Sequence, residues 1–170
     1  EIYEVDAATG TVSQLTTRTG PDQNPVPSPD GRLIAYQGLD FHEDTYRENE
    51  LYVMNADGSG SHRLGGELGR GLGNVTWASD GSGVYFNTSM VGNANLWFAP
   101  LNGEPRAVTT GNHMLSVSSI DARGTAVGTL TTHQEPVDIV SFDLDNPAAK
   151  HRLTKVNQDV LSGVALGDVE

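Results

Sequence analysis

The residues best suited to chemistry are concentrated in one stretch, Asp40-Phe41-His42-Glu43-Asp44-Thr45-Tyr46-Arg47-Glu48-Asn49-Glu50. It sets five carboxylates against one guanidinium in eleven residues, a net −4 within a chain of −12. Carboxylates at that density attract a cationic group. Glu43, Asp44, Glu48 and Glu50 are therefore candidate substrate-binding residues. The competing reading is a solvated acidic loop.

Other constellations fail on spacing. A nucleophile elbow needs Gly-x-Ser-x-Gly at a strand-to-helix turn, and every serine here lacks the two flanking glycines. The five histidines, His42, His62, His113, His133 and His151, have no paired spacing. His42-Glu43 begins like His-Glu-x-x-His, but Tyr46 stands at the second ligand position. Asn55-Ala56-Asp57-Gly58-Ser59-Gly60 echoes a calcium loop, yet Gly66 stands where an EF-hand needs its bidentate glutamate. A hairpin turn explains it. Gly65–Gly73 lacks the Lys-Ser/Thr of a phosphate-binding loop. Asn74-Val75-Thr76 and Asn87-Thr88-Ser89 match a glycosylation acceptor without other support. No catalytic residue, cofactor site or metal site is assigned.

Composition narrows the function further. The chain has 170 residues, 10 Lys+Arg against 22 Asp+Glu, and no cysteine. That balance argues against nucleic-acid binding and against docking on an anionic membrane. No apolar run is long enough to span a bilayer. A thiolate metal site, a cysteine nucleophile and a disulfide scaffold are excluded. The chain opens on Glu1-Ile2-Tyr3, without an initiator Met or a signal-peptide apolar stretch, and reads as a piece of something larger. Bacterial cytoplasm and periplasm both stay open as its compartment.

The elements that would position these residues repeat. Ser28-Pro29-Asp30-Gly31 returns as Ala78-Ser79-Asp80-Gly81 and, with Arg123 in place of the aspartate, as Asp121-Ala122-Arg123-Gly124; the glycines are 50 and 43 residues apart. An apolar burst follows each turn: Leu33–Tyr36, Gly83–Phe86 and Ala126–Thr129. A second burst, Leu51–Met54, recurs as Leu96–Ala99 and Ile139–Phe142, with Ile2–Val5 as a partial earlier copy. A closing pair recurs as Leu15-Thr16, Arg63-Leu64, Val108-Thr109 and Leu153-Thr154, its apolar residues spaced 49, 44 and 45. Asp-Gly and Asn-Gly turns supply the positive φ of tight hairpins. Four short strands in a period of about 40–50 residues are the signature of a propeller blade.

The expected fold is all-β, a partial β-propeller of about three and a half four-stranded antiparallel blades. Residues 1–155 hold it, with a partial blade at about 1–19 and full blades at about 24–66, 74–110 and 117–155; residues 156–170 form a tail. Trp77, Tyr85, Phe86, Trp97 and Phe98 fall at strand positions, where they pack blades together. The acidic stretch lengthens the connection between the second and third strands of its blade. It shares a face with the glycine-rich connection 65–71. An open arc leaves blade edges exposed, so the expectation is either pairing with another copy through those edges or a cap on one end.

Pro25-Val26-Pro27-Ser28-Pro29-Asp30-Gly31-Arg32-Leu33-Ile34-Ala35-Tyr36 resembles the blade element of WD40-like propellers, a group that includes TolB and the propellers of prolyl oligopeptidase-family serine peptidases. Pro27 replaces the usual aromatic, which Trp77 keeps in the second copy. Leu51–Gly60 with Leu72–Ala78, and the tail Asn157–Glu170, resemble acylaminoacyl-peptidase-like members, the tail matching the hand-over to their hydrolase domain. The resemblance implies a C-terminal α/β-hydrolase domain carrying Ser, Asp and His, absent from these residues, and N-terminal blades as further intramolecular partners. It also implies that the propeller restricts access to short peptides. Some exopeptidases of the family use propeller carboxylates to hold a substrate amino terminus, by a motif that does not match here residue by residue. A TolB-like binding propeller without an enzyme is the alternative. A metal-dependent sugar lyase on a propeller is the weakest, because the histidines are scattered.

Overall fold

The computed structural model describes residues 1–43, 47–66 and 71–164. Strands β1 (Tyr3–Val5) and β2 (Val12–Gln14) form a two-stranded antiparallel sheet. β3 (Asp22–Pro27), β4 (Leu33–Gly38), β5 (Glu50–Asn55) and β6 (His62–Arg63) form a four-stranded meander. β7 (Leu72–Trp77), β8 (Gly83–Met90), β9 (Asn93–Pro100) and β10 (Arg106–Ala107) repeat it, as do β11 (Met114–Ile120), β12 (Thr125–Thr131), β13 (Asp138–Asp143) and β14 (Asn146–Arg152). A single parallel bridge, Met114 to Ala94, joins these last two blades into one sheet. A four-residue helix, α1 (Gln158–Leu161), follows. Among the described residues no helix is long and apolar enough to cross a membrane.

Strand alternation distributes side chains between two interblade cores. On β5, Leu51 and Val53 enter one core with Trp77, Val84, Phe86 and Ala99 of the following blade. Tyr52 and Met54, from the opposite face, join Ile2 and Tyr36 against the half-blade β1–β2. The third core sets Leu96 against Leu115, Val117, Ala126, Val140 and Phe142. Blades covered on both faces thus read as continuous apolar runs, as β4 and β5 do. On β12 and β13 burial alternates, leaving Ile139 exposed.

The repeat marks have a hydrogen-bond basis. Leu15, Leu64, Val108 and Leu153 each donate their N–H to the carbonyl of Ile2, Leu51, Leu96 and Ile139, at 2.8–2.9 Å. In three blades the next residue is a threonine whose hydroxyl accepts the N–H of that same Ile2, Leu96 or Ile139. The hydroxyl then donates to the preceding side chain: Thr16 to Glu1, Thr109 to Asn95, Thr154 to Asp138. The blade β3–β6 departs from this pattern, with Gly65 at the threonine position.

The third blade turn keeps its carboxylate in a different place. Asp30 and Asp80 cap the N–H groups of Arg32 and Ser82. In the last blade Asp121, two residues earlier in the motif, caps Arg123 and Thr125 instead. The turn survives without an aspartate at position 123 because a carboxylate two residues back reaches the equivalent amide, that of Thr125, and caps Arg123 as well.

Candidate functional site: the loop face around the acidic connection

The connections β2–β3, β4–β5 and β6–β7 emerge together at one end of the blade β3–β6. Glu48, from the acidic connection, rests against Gly71 of the glycine-rich one; a Cβ at Gly71 would lie 2.9 Å from Glu48 Oε2. The two connections therefore meet on one face. Of the expected binding residues, Glu43 is exposed to solvent. Glu50 is engaged: its Oε2 pairs with Arg63 at 2.5 Å and accepts the Tyr52 hydroxyl at 3.5 Å. Asp44 lies outside the described residues.

Glu50 occupies the position held by Glu1, Asn95 and Asp138 in the other blades, directly before the apolar residue that starts the closing hydrogen bond. Without a threonine partner, it takes Arg63. The blade pattern accounts for its charge.

Sequence inspection passed over the most tightly organised charges on this face. Asp22, at the start of β3, has a side chain with no solvent exposure and is ion-paired with Arg18. The same guanidinium approaches Asp40 at 3.4 Å and stacks over the Tyr52 ring at 3.9 Å. Tyr52 in turn stacks on Tyr36 at 5.4 Å, and the Tyr36 hydroxyl lies 2.6 Å from Ser61 Oγ. Burial raises the Tyr36 phenol above its ordinary pKa. Gly38 is required beside them, since a Cβ there would overlap both Arg18 Nη2 and Asp22 Oδ1. The available signal was a glycine ending an apolar burst, with Arg18 and Asp22 four residues apart.

A second charged cluster closes the last blade on the same face. Arg152 pairs with Glu135 and, at 3.2 Å, with Asp138. The Thr154 hydroxyl holds the Asp138 carboxyl below the usual range against the opposing effect of burial; the Val156 N–H and Arg152 add to it. Beside it, Gln134, Pro136, Lys155, Gln158 and Val164 help line a concavity of about 650 Å³.

The remaining candidates do not converge. His42, His62, His133 and His151 are exposed on separate segments, and His113 is half-buried. Burial, with Lys150 second, lowers the His113 pKa. Among the described residues no three His, Asp or Glu side chains gather as metal ligands. Asn87 is buried with both amide atoms bonded to Val117, and Asn74 donates to the same carbonyl, so their sequence motifs serve packing. Asp57 caps Ser59 in a hairpin turn.

Repeated four-stranded meanders, stacked face to face with inner strands β3, β7 and β11 side by side, define the architecture. Solved structures carry the same arrangement. The β-propeller domain of the trilobed protease from Pyrococcus furiosus superposes with a TM-score of 0.66 over 91% of this chain and 44% of its own, at 22% identity. The chain is a partial β-propeller. TolB from Acinetobacter baumannii matches the propeller at TM-score 0.71 and 18% identity, over 89% of this chain and 37% of its own. Acylaminoacyl peptidase from Pyrococcus horikoshii matches at 0.68 and 18%, over 92% of this chain and 23% of its own. The propeller thus spans less than half the length of each. No protein-family model matches the sequence, and no curated protein matches it.

Proposed function

We propose that this propeller arc is the access-restricting part of a prolyl oligopeptidase-family serine peptidase, acylaminoacyl-peptidase-like, acting over a hydrolase domain outside these 170 residues. The observation that carries the reading is the superposition on acylaminoacyl peptidase over 92% of this chain. The tail from Asn157, which resembles the hand-over to a hydrolase, supports it. In this role the chain performs no bond chemistry. It supplies a wall of blades that admits flexible peptides and excludes folded proteins by size. Glu43 and Asp44 offer carboxylates to the amino terminus of an incoming peptide, while Glu50 is committed to Arg63.

The test uses the complete polypeptide. A fluorophosphonate probe should label it, and it should cleave short acyl-peptides while leaving folded proteins intact. Absence of labelling would reject the peptidase reading. Changing Glu43→Gln and Asp44→Asn should raise KM for substrates with a free amino terminus and leave kcat unaltered; an unchanged KM removes the role given to those carboxylates.

The superposition on TolB at TM-score 0.71 favours a second reading, a propeller that binds another protein without an enzyme attached. It predicts no probe labelling and a stoichiometric complex with an envelope protein. Pairing of two copies through the open blade edges would appear in light scattering as a dimer that dissociates on dilution.

A further inference from the structure

The seam between the half-blade β1–β2 and the blade β3–β6 is built differently from the other two. The later seams carry larger cores and amide bridges, Gln37 to the Gly73 carbonyl and Asn87 to both backbone groups of Val117. No strand pairing joins β1–β2 to its neighbour, as none joins β3–β6 to β7–β10, but here the core holds only Ile2, Tyr36, Tyr52 and Met54 as buried residues. Arg18, on the connection leaving the half-blade, crosses this seam. It finds a carboxylate with no solvent exposure (Asp22), a second carboxylate at the root of the acidic connection (Asp40) and the face of Tyr52. Two carboxylates and an aromatic face match a planar guanidinium, which hydrogen-bonds in its plane and stacks across it. A lysine ammonium would satisfy only part of this. The guanidinium is not fully paired: Asp22 Oδ2, Arg18 Nε and Arg18 Nη1 are buried without a hydrogen-bond partner, Nη1 meeting Asp40 only as an ion pair at 3.4 Å.

We propose that Asp22, Asp40, Tyr52 and Gly38 form a guanidinium-binding box, filled in cis by Arg18, that latches the half-blade onto the propeller. The latch ties the seam to the acidic connection through Asp40, so opening one releases the other. When Arg18 is removed, the box takes a free alkylguanidinium. This proposal stands apart from the peptidase reading, since it concerns only residues of this arc.

The test is chemical rescue in the full chain, read by amide hydrogen exchange. In Arg18→Ala, residues 1–19 should lose protection at least tenfold while β7–β14 keep theirs. Ethylguanidinium at millimolar concentration should restore that protection, and ethylammonium at equal concentration should not. Arg18→Lys should restore it less than ethylguanidinium does. Should Arg18→Ala fail to fold, Asp40→Asn gives the same readout on a milder lesion: faster exchange confined to residues 1–19 and the acidic connection. Unchanged exchange at 1–19, a uniform loss across all blades, or equal rescue by ethylammonium would each overturn the proposal.

Discussion

Asn87 reaches from β8 into the next blade and closes both backbone groups of Val117 at once, donating to its carbonyl at 2.9 Å and accepting its N–H at 3.0 Å. The contact falls where β11 departs from regular pairing with β12, between Val117 and Ser119. A bulge frees backbone groups from the ladder, and a buried amide with one donor and one acceptor aimed the same way satisfies them.

Asn87→Leu keeps the volume and removes the bonds. The Val117 carbonyl keeps the bond from Asn74, so the N–H alone is left unsatisfied, at a cost of about 1–3 kcal/mol. Urea unfolding should show a loss of that size with little change in m, because the fold is retained while the seam weakens.

The threonine closing motif offers a second measurement. Thr109→Val removes the acceptor for the buried Leu96 N–H and the donor to Asn95, and should lower stability by about 1–3 kcal/mol. Installing threonine at Gly65 should not help. Its φ is +83°, and a Cβ there would lie 2.6 Å from Pro105 Cγ in the next blade. Gly65→Thr is expected to melt below the parent chain in calorimetry.

Val91 holds a backbone conformation that disfavours its side chain. It has φ +50° in the β8–β9 hairpin turn and is 93% exposed. A β-branched residue in the left-handed region is strained, whereas asparagine adopts it readily. Val91→Asn should stabilise the chain by about 1 kcal/mol, seen as a higher Tm.

Acid sensitivity should trace to Asp138. Its carboxyl is held below its ordinary value chiefly by Thr154, then by Val156 N–H and Arg152. A depressed carboxylate contributes stability that is present above the unfolded pKa of about 4 and lost as pH falls through the lower folded value. Asp138→Asn should therefore be less stable than the parent at pH 7. The two should converge below pH of about 3, which a set of thermal melts across pH 2–7 would show.

Much of the fold was legible because its signals are local. Asp-Gly turns, apolar bursts and Leu-Thr or Val-Thr closures each act over a few residues or through one hairpin, and a period near 45 makes them count several times. The last blade could be read from spacing even with Arg123 in the turn, and there Asp121 caps the equivalent amide of Thr125. The acidic stretch was equally visible as charge, but charge alone did not separate Glu50, taken by Arg63, from the exposed Glu43.

By itself the sequence determined the strand count, the turn chemistry and the stacking of alternate faces, because these follow from backbone geometry and side-chain polarity at short range. Only the tertiary structure decided which charges are spent inside the fold. Arg18 meets Asp40 from twenty-two positions away and Asn87 meets Val117 from thirty. Such partners are chosen by how far neighbouring blades are rotated and how closely they approach. Arg18 and Asp22 pack together against β4 only because residue 38 is glycine, since a Cβ there would overlap both. Desolvation then makes those few long-range pairs matter, and desolvation is a property of the packed seam.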